Sequence, residues 1–470
     1  MAMEGYGAVC VLGLGRAGRA ATRYLAGLLG SGRVSVLDAY AGLDAAPDDE
    51  TRALEALGAR VIFGTEDIAG CYDLAVASPG IPPHASFFRS ALSCCTEVIG
   101  EPELAWRESP ERWIAVTGTN GKTTTTALVG HLLRTGGRAV RLVGNIGDSV
   151  SAEIAARPAG SWFAAELSSF QLAETRLLHP RAACLLNITP DHIDWHGSLE
   201  AYAAAKERIF ANMGAGDLAV VSREDRWCRA IIGRLGARGV RTCALDVHAE
   251  PDGPCAAFAR DGRLVVRLDG VEHALLATGE LPLQGEHNIQ NALAASALAL
   301  EAGVADEDIR TGLAAFTALE HRIEPCGERS GVRFINDSKA TNTDSVEKAL
   351  TAFPAGRILI LLGGHDKGTG LGSMAAAVAR ACKLAACFGE AGPRIASALH
   401  AAVAAGEGAL EIVEVPHMGE ALLAAAGRAE AGDVVLLSPA CSSFDEFDDY
   451  VQRGRAFKRL VAELIGKDGV

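Results

Sequence analysis

The 470 residues are 49% apolar and 22% charged, too long for one compact core; at about 150 residues per domain they predict three domains. No apolar run reaches the roughly 18 residues needed to span a bilayer, residues 1–15 lack the basic start of a signal peptide, and a net charge of −14 argues against nucleic acid. A cytoplasmic protein with no membrane partner is expected, and the 12 scattered cysteines signal neither a disulfide framework nor a zinc ribbon.

Short β-branched runs alternate with alanine-rich helical stretches from end to end, which predicts an α/β protein built on mostly parallel sheets. The first unit opens with a strand over residues 8–12, turns through Gly13-Leu14-Gly15-Arg16-Ala17-Gly18 into a helix, and reaches a second strand over 34–37 that ends in Asp38. That is a dinucleotide-type fingerprint in its proper context, and by itself it can mean an NAD-dependent dehydrogenase. A further strand and turn, ending Ser78-Pro79-Gly80, follow, and the unit closes near Gly100.

The next strand, Ile114-Ala115-Val116-Thr117, enters Gly118-Thr119-Asn120-Gly121-Lys122-Thr123. Glycines let backbone N–H groups face phosphate oxygens, Lys122 neutralises the outer phosphates and the Thr123 hydroxyl suits Mg²⁺, so ATP binding is expected. The first glycine stands only three residues before Gly121, shorter than the common phosphate loop. Such a turn can also be an ordinary strand-to-helix loop, or belong to a nucleotide switch protein.

Trp162-Phe163-Ala164-Ala165-Glu166 is an apolar strand ending in a carboxylate, where a phosphate-loop fold places an acid near Mg²⁺. His192 and His196, four apart within Asn187-Ile188-Thr189-Pro190-Asp191-His192-Ile193-Asp194-Trp195-His196, can share a helical face and contact metal or phosphate, or simply hydrogen-bond a loop. Lys206 lies four after Tyr202 and four before Phe210 on an apolar stripe predicted as a helix over 201–210. It either snorkels or, desolvated and neutral, can react with CO₂ to give a carbamate, an oxygen ligand for Mg²⁺.

A third domain is expected from near Leu319, with strands over 357–362 and 433–437. Three polar clusters end its strands: Asn336-Asp337-Ser338-Lys339-Ala340-Thr341-Asn342, Gly363-Gly364-His365-Asp366-Lys367-Gly368, and Ser438-Pro439-Ala440-Cys441-Ser442-Ser443-Phe444-Asp445. In an open parallel sheet these carboxyl ends share one rim, so the clusters should converge.

Taken in order, Gly118 to Thr123, Glu166-Leu-Ser-Ser-Phe-Gln-Leu172, Asp191-His192, His287-Asn288 with Asn291, His321-Arg322, Asn336 to Asn342 and Leu437-Ser-Pro-Ala-Cys441 resemble the Mur ligase family, and most closely its D-glutamate-adding members, over nearly the whole length. The resemblance implies a Rossmann-like domain at 1–100 for the UDP substrate, a central phosphate-loop ATP-binding domain at 101–318 and a Rossmann-like amino-acid-binding domain at 319–470. It implies a monomeric ligase of peptidoglycan precursor synthesis, in which ATP phosphorylates the carboxylate of UDP-N-acetylmuramoyl-L-alanine and the amine of D-glutamate attacks the acyl phosphate, with no NAD. Gly118, Thr119, Asn120, Gly121, Lys122, Thr123, Thr124, Asn291, Arg322 and Asp337 would then surround ATP. Two Mg²⁺ sites would use Thr123 with Glu166, and His192 with carbamylated Lys206. Gly15, Arg16, Ala17, Asp38, Ser78, Gly80, Asn145, Ser168 and His192 would meet the UDP substrate, while Lys339, Thr341, Lys367, Ser443 and Phe444 would receive D-glutamate. Arg16 and Ala17 stand where the family's turn often has a threonine. The Asp-Asn-Pro-Arg tetrapeptide expected of a diaminopimelate-adding relative does not occur in this sequence.

Overall fold

The computed structural model describes residues 5–43, 45–283, 285–317, 320–366 and 368–466. The chain forms two compact units, Met1–Leu281 with Ile289–Ala314, and Pro282–Asn288 with Ala315–Val470. The first carries two sheets and the second one.

The first sheet is wholly parallel, in the order β3-β2-β1-β4-β5, from β1 Gly7–Leu12, β2 Val34–Gly42, β3 Arg60–Phe63, β4 Tyr72–Ala77 and β5 Cys95–Gly100. β1 is flanked on both sides and ends in four buried residues, as a central parallel strand should. The turn after it closes only because Gly18 has no side chain: a Cβ there would lie 1.9 Å from the Gly13 carbonyl oxygen. Helix Arg16–Leu29 starts directly from that turn. β2 runs past the expected end at Leu37, because pairing with β1 and β3 continues through Asp38 and Tyr40.

The second sheet takes β6 Trp113–Thr117, β7 Val140–Gly144, β8 Trp162–Glu166, β9 Ala182–Leu185, β10 Leu218–Ser222, β11 Arg241–Asp246, β12 Ala256–Arg260, β13 Arg263–Leu268 and β14 Val271–Ala277. Its order is β14-β13-β12-β11-β10-β9-β6-β8-β7. It is parallel except for the meander β12-β13-β14, whose two turns use Asp261-Gly262 and Asp269-Gly270, all four at positive φ. β6 is buried along its whole length between β8 and β9. Its register sets Val116 opposite Glu166 and Thr117 opposite Leu185, so the β8 acid arrives at the root of the loop after β6.

The third sheet, in the second unit, has the order β15-β16-β20-β17-β18-β19, from β15 Glu324–Arg329, β16 Val332–Asn336, β17 Ile358–Gly363, β18 Cys382–Phe388, β19 Glu411–Glu414 and β20 Val434–Ala440; only the edge strand β15 is antiparallel. Among the described residues, no helix is long and apolar enough to cross a membrane.

Candidate active site

The loop after β6 has the backbone its glycines predict: Gly118 and Gly121 take φ of 154° and 82°. Asn187, beyond β9, braces the loop, its Oδ1 accepting from the Asn120 N–H at 2.9 Å and its carbonyl from the Thr119 N–H at 2.9 Å. Asn291, on helix Glu286–Glu301, sits so close that a Cβ on Gly121 would lie 2.5 Å from its Oδ1, which also accepts from the Thr125 hydroxyl at 3.1 Å. Helix Lys122–Thr135 follows with no acid in its first turn, leaving its N-terminal dipole to an anion, and buries Thr123 and Thr124. Lys122 Nζ folds back onto the carbonyls of Gly118 (2.9 Å) and Thr119 (2.8 Å).

Beside this loop Lys206 is 1% exposed, and its Nζ donates to the same Gly118 carbonyl at 2.7 Å. Burial, then the nearby Lys122 charge, press its pKa far below the ordinary lysine range, with Asp191, Cys228 and Glu166 opposing. The helix carrying it spans Leu199–Glu207 and tightens into a 3₁₀ turn at Arg208–Phe210; Tyr202, Lys206 and Phe210 are all buried, as the stripe predicts. Lys206 Nζ lies 4.6 Å from the centroid of the Tyr202 ring, whose hydroxyl hydrogen-bonds Thr119 Oγ1 at 3.0 Å. Glu166 is buried at the β8 end, and Asn145 orients it by donating from Nδ2 to Oε1 (2.9 Å) and from its backbone N–H to the Glu166 carbonyl (2.8 Å).

Both histidine rings pack against Phe170 (4.7 and 5.6 Å between centroids) and Tyr202 (6.4 and 5.3 Å). His192 is the N-cap of the short helix Ile193–His196 in the left-handed conformation (φ 52°), with Nε2 3.5 Å from Asp191 Oδ2. His196 instead hydrogen-bonds Ser169 Oγ at 2.9 Å and stacks on Phe170, while burial, then the charges of His192 and Lys206, hold its pKa down at about 4. His196 is therefore a neutral loop brace at physiological pH.

A cavity of about 540 Å³ in the first unit gathers Gly15, Arg16, Ala17, Ser78, Gly80, Asn145, Ser168 and His192, all expected at the UDP substrate, with Lys122 and Lys206 on the same wall. Arg16 reaches across to the carbonyls of Gly147 (3.0 Å) and Gly144 (3.3 Å). Asp38 is not among the lining residues: its carboxylate is buried, paired with the Arg60 guanidinium, and accepts from the Tyr72 hydroxyl at 2.5 Å. The sequence reading missed the lining residues Glu101, Ser149, Phe170, Gln171 and Tyr202. Of these Phe170 and Gln171 lie in the Glu166–Leu172 motif, Tyr202 lies on the Lys206 stripe and Glu101 directly follows a predicted unit boundary at a strand end, whereas Ser149 carried no signal.

In the second unit the three polar clusters converge as expected. Arg453, wholly buried on helix Tyr450–Gly466, donates to the carbonyls of Ser338 (2.9 Å), Cys441 (3.0 Å) and Ser442 (3.1 Å), while the His365 N–H donates to Ser442 O at 2.9 Å. Nothing in the sequence marks Arg453 apart from other helical arginines. Asp337 accepts from Ser438 Oγ at 2.8 Å and from the Ile323 N–H at 3.3 Å; burial lifts its carboxyl to about 7 against those bonds and the Arg322 charge. Lys339 and Thr341 stand in the loop between β16 and helix Thr343–Leu350, with Lys339 Nζ 5.2 Å from the Tyr450 ring centroid. Ser443 is buried and Phe444 is 70% exposed on the neighbouring loop, whereas Lys367 lies outside the described residues.

Residues 116–299 match the Mur ligase middle domain and residues 321–441 the Mur ligase, glutamate ligase domain. The chain is 37% identical over 458 residues, 97% of each chain, to a UDP-N-acetylmuramoylalanine--D-glutamate ligase of Pelotomaculum thermopropionicum, and 38% identical, again over 97% of each, to one of Geobacillus kaustophilus. Among solved structures it resembles MurF from Acinetobacter baumannii (TM-score 0.60, 19% identity, covering 91% of this chain and 90% of that one) and a pseudomurein peptide ligase type C from Methanothermus fervidus (TM-score 0.58, 15% identity, 98% and 100%), likenesses of fold.

Proposed function

The chain belongs to the Mur ligase family, and on that premise we infer that it is an ATP-dependent ligase joining D-glutamate to UDP-N-acetylmuramoyl-L-alanine in peptidoglycan precursor synthesis. A free carboxylate is a poor electrophile. A carboxylate oxygen of the alanyl group therefore attacks the γ-phosphorus of ATP and ADP departs, leaving an acyl phosphate; the D-glutamate amine then adds to the acyl carbon, phosphate leaves with the C–O bond, and the nitrogen releases a proton. The observation that carries this reading is the single cavity in which the turn after β1 and the phosphate loop meet, together with full-length similarity to relatives of that name. A dehydrogenase reading is disfavoured because Asp38, the residue that would hold a nicotinamide ribose, is already spent on Arg60 and Tyr72.

Within this reading Lys122 leaves its loop carbonyls to neutralise the γ-phosphate, and the N–H groups of residues 118–124 cradle the phosphates. Asn291 braces the loop, and the same family reading assigns Arg322 and Asp337 to ATP. Asn145, Ser168 and His192 position the sugar-peptide, and Lys339, Thr341, Lys367, Ser443 and Phe444 receive D-glutamate. The residues fit magnesium: a hydroxyl and a buried, oriented carboxylate flank the phosphate loop, and phosphate and water oxygens would supply the remaining hard ligands that the ion prefers. Thr123 and Glu166 would hold one ion, and His192 with carbamylated Lys206 a second; bound there, magnesium supplies positive charge against the phosphates. A neutral Lys206 amine forms an N–C bond to CO₂ and releases a proton, giving the carbamate. We assign the enzyme to the cytoplasm as a monomer. Phosphate release in the presence of ATP, UDP-N-acetylmuramoyl-L-alanine and each amino acid in turn tests the reading: D-glutamate should trigger it, and equal release with L-glutamate or diaminopimelate would overturn it.

A further inference from the structure

An open parallel sheet receives ligands at the carboxyl ends of its strands, beside the point where strand order reverses. In the first sheet that point lies between β1 and β4. The turn after β1 and Ser78 to Gly80 after β4 occupy the rim; the neighbouring rim position is the end of β5, where Gly100 passes into helix Glu101–Glu108. Glu101 lines the cavity although it is only 1% exposed. Its Oε1 accepts the Ser151 N–H at 2.5 Å, and the Ser151 hydroxyl, buried beside it, is the other donor acting on the carboxyl. Arg16 is the cation acting on it, and Arg16 itself donates to the carbonyls of Gly144 and Gly147. A carboxylate has about four acceptor positions, and burying one with about half of them unused is costly unless a ligand supplies a donor.

Resting on the functional reading above, we propose that Glu101 contacts the substrate: its carboxylate accepts a hydrogen bond from the sugar of the UDP-sugar peptide, through the acetamido N–H or a hydroxyl, and so helps select an N-acetylated sugar. The diphosphate is excluded as its partner by like charge, and belongs with Arg16 and the start of helix Arg16–Leu29, where no acid stands in the first turn. Of the substrate's parts the sugar and peptide carry the remaining N–H and O–H donors, apart from the uracil ring and the ribose hydroxyls, which the test separates.

The test uses Glu101→Gln in the full chain. Glutamine keeps a carbonyl oxygen for the Ser151 N–H but turns an NH₂ toward the cavity. The KM for UDP-N-acetylmuramoyl-L-alanine should rise about 10- to 100-fold, the loss of one charged hydrogen bond, while the KM for ATP, the Kd for UDP alone and the melting temperature stay near wild type. Unchanged KM for the sugar peptide would show that Glu101 only anchors Ser151, and a matching loss of UDP affinity would move the contact to the uridine or to the fold; either overturns the proposal. Wild-type enzyme that turns over no UDP-sugar peptide would overturn the functional reading itself, a failure distinct from a wild type that is active and a variant that matches it.

Discussion

Two lysines donate to one carbonyl, Lys122 and Lys206 both bonding to Gly118 O. In a low-dielectric pocket two adjacent cations cannot both stay charged cheaply, and the deeper one yields. Lys206 is that residue, since burial and the Lys122 charge both depress it. The proposed carbamylation would turn this conflict into attraction by setting an anion beside Lys122. Lys206→Ala should accordingly lose about 10²- to 10³-fold in turnover, the usual cost of removing a preorganised electrostatic group, and short carboxylates such as formate should restore part of it. An unmodified amine in the active enzyme, with no rescue of the variant, would return Lys206 to a structural role. Asp337 poses the opposite problem, a carboxyl lifted by burial from 3.8 to about 7. Its folded pKa exceeds its unfolded one, so between about pH 4 and 7 the folded state holds a proton that the unfolded state releases, and stability falls as pH rises through that window. Asp337→Asn should flatten this part of a melting-temperature profile in the absence of nucleotide. A profile with the wild-type slope there would assign the pH dependence to other groups.

At the scale of elements, the strand-loop-helix units were the most legible part of the chain, because buried parallel strands need continuous apolar runs and their carboxyl ends need polar or glycine residues. β8 matches its predicted span and β6 starts one residue earlier, at Trp113, and the three polar clusters of the second unit meet on one rim as parallel topology requires. The meander β12-β13-β14 was legible too, in the turns Asp261-Gly262 and Asp269-Gly270, but was overlooked within a parallel pattern. What spacing could not give was side-chain direction outside regular helix. His192 and His196 are four apart and both pack on Phe170 and Tyr202, yet His192 caps its helix in a left-handed conformation while His196 is held by Ser169 Oγ. Nor could local sequence find Arg453, or give the contacts of Asn187 and Glu101, whose partners are distant in the chain. The phosphate loop offers a test of how tightly such elements interlock. Gly121→Ala would force a side chain at φ 82° against Asn291 Oδ1 at 2.5 Å and Leu186 Cδ1 at 3.0 Å. The left-handed conformation alone costs about 1–2 kcal/mol, so the variant should unfold at lower denaturant and bind ATP weakly. Wild-type stability and ATP affinity together would mean that the loop opens freely and that Asn291 does not brace it.

For the molecule as a whole, a net charge of −14 must coexist with three anionic substrates. Bulk charge repels them, so binding has to come from locally placed cations and helix ends, and the chain sets these at different points, two of them on one cavity. Arg16 and the start of helix Arg16–Leu29 serve the cavity at the first sheet, Lys122 serves the phosphate loop, and Lys339 with Thr341 stands on the rim of the third sheet. If each cluster holds one substrate, each variant should injure one Michaelis constant. D-Glutamate carries two carboxylates, which calls for donors at two places; Lys339 and Lys367 are the cations proposed for them. Losing one charged hydrogen bond costs about 1.5–3 kcal/mol, or roughly 10- to 100-fold. Lys339→Ala should therefore raise the KM for D-glutamate by that factor and leave those for ATP and the UDP-sugar peptide within about threefold, whereas Arg16→Ala should raise the KM for the UDP-sugar peptide and spare D-glutamate. Steady-state kinetics with each substrate varied in turn decides the matter. A Lys339→Ala defect confined to ATP would move that lysine from the acceptor amino acid to the nucleotide, and the proposed D-glutamate cluster would have to be redrawn around Ser443 and Phe444.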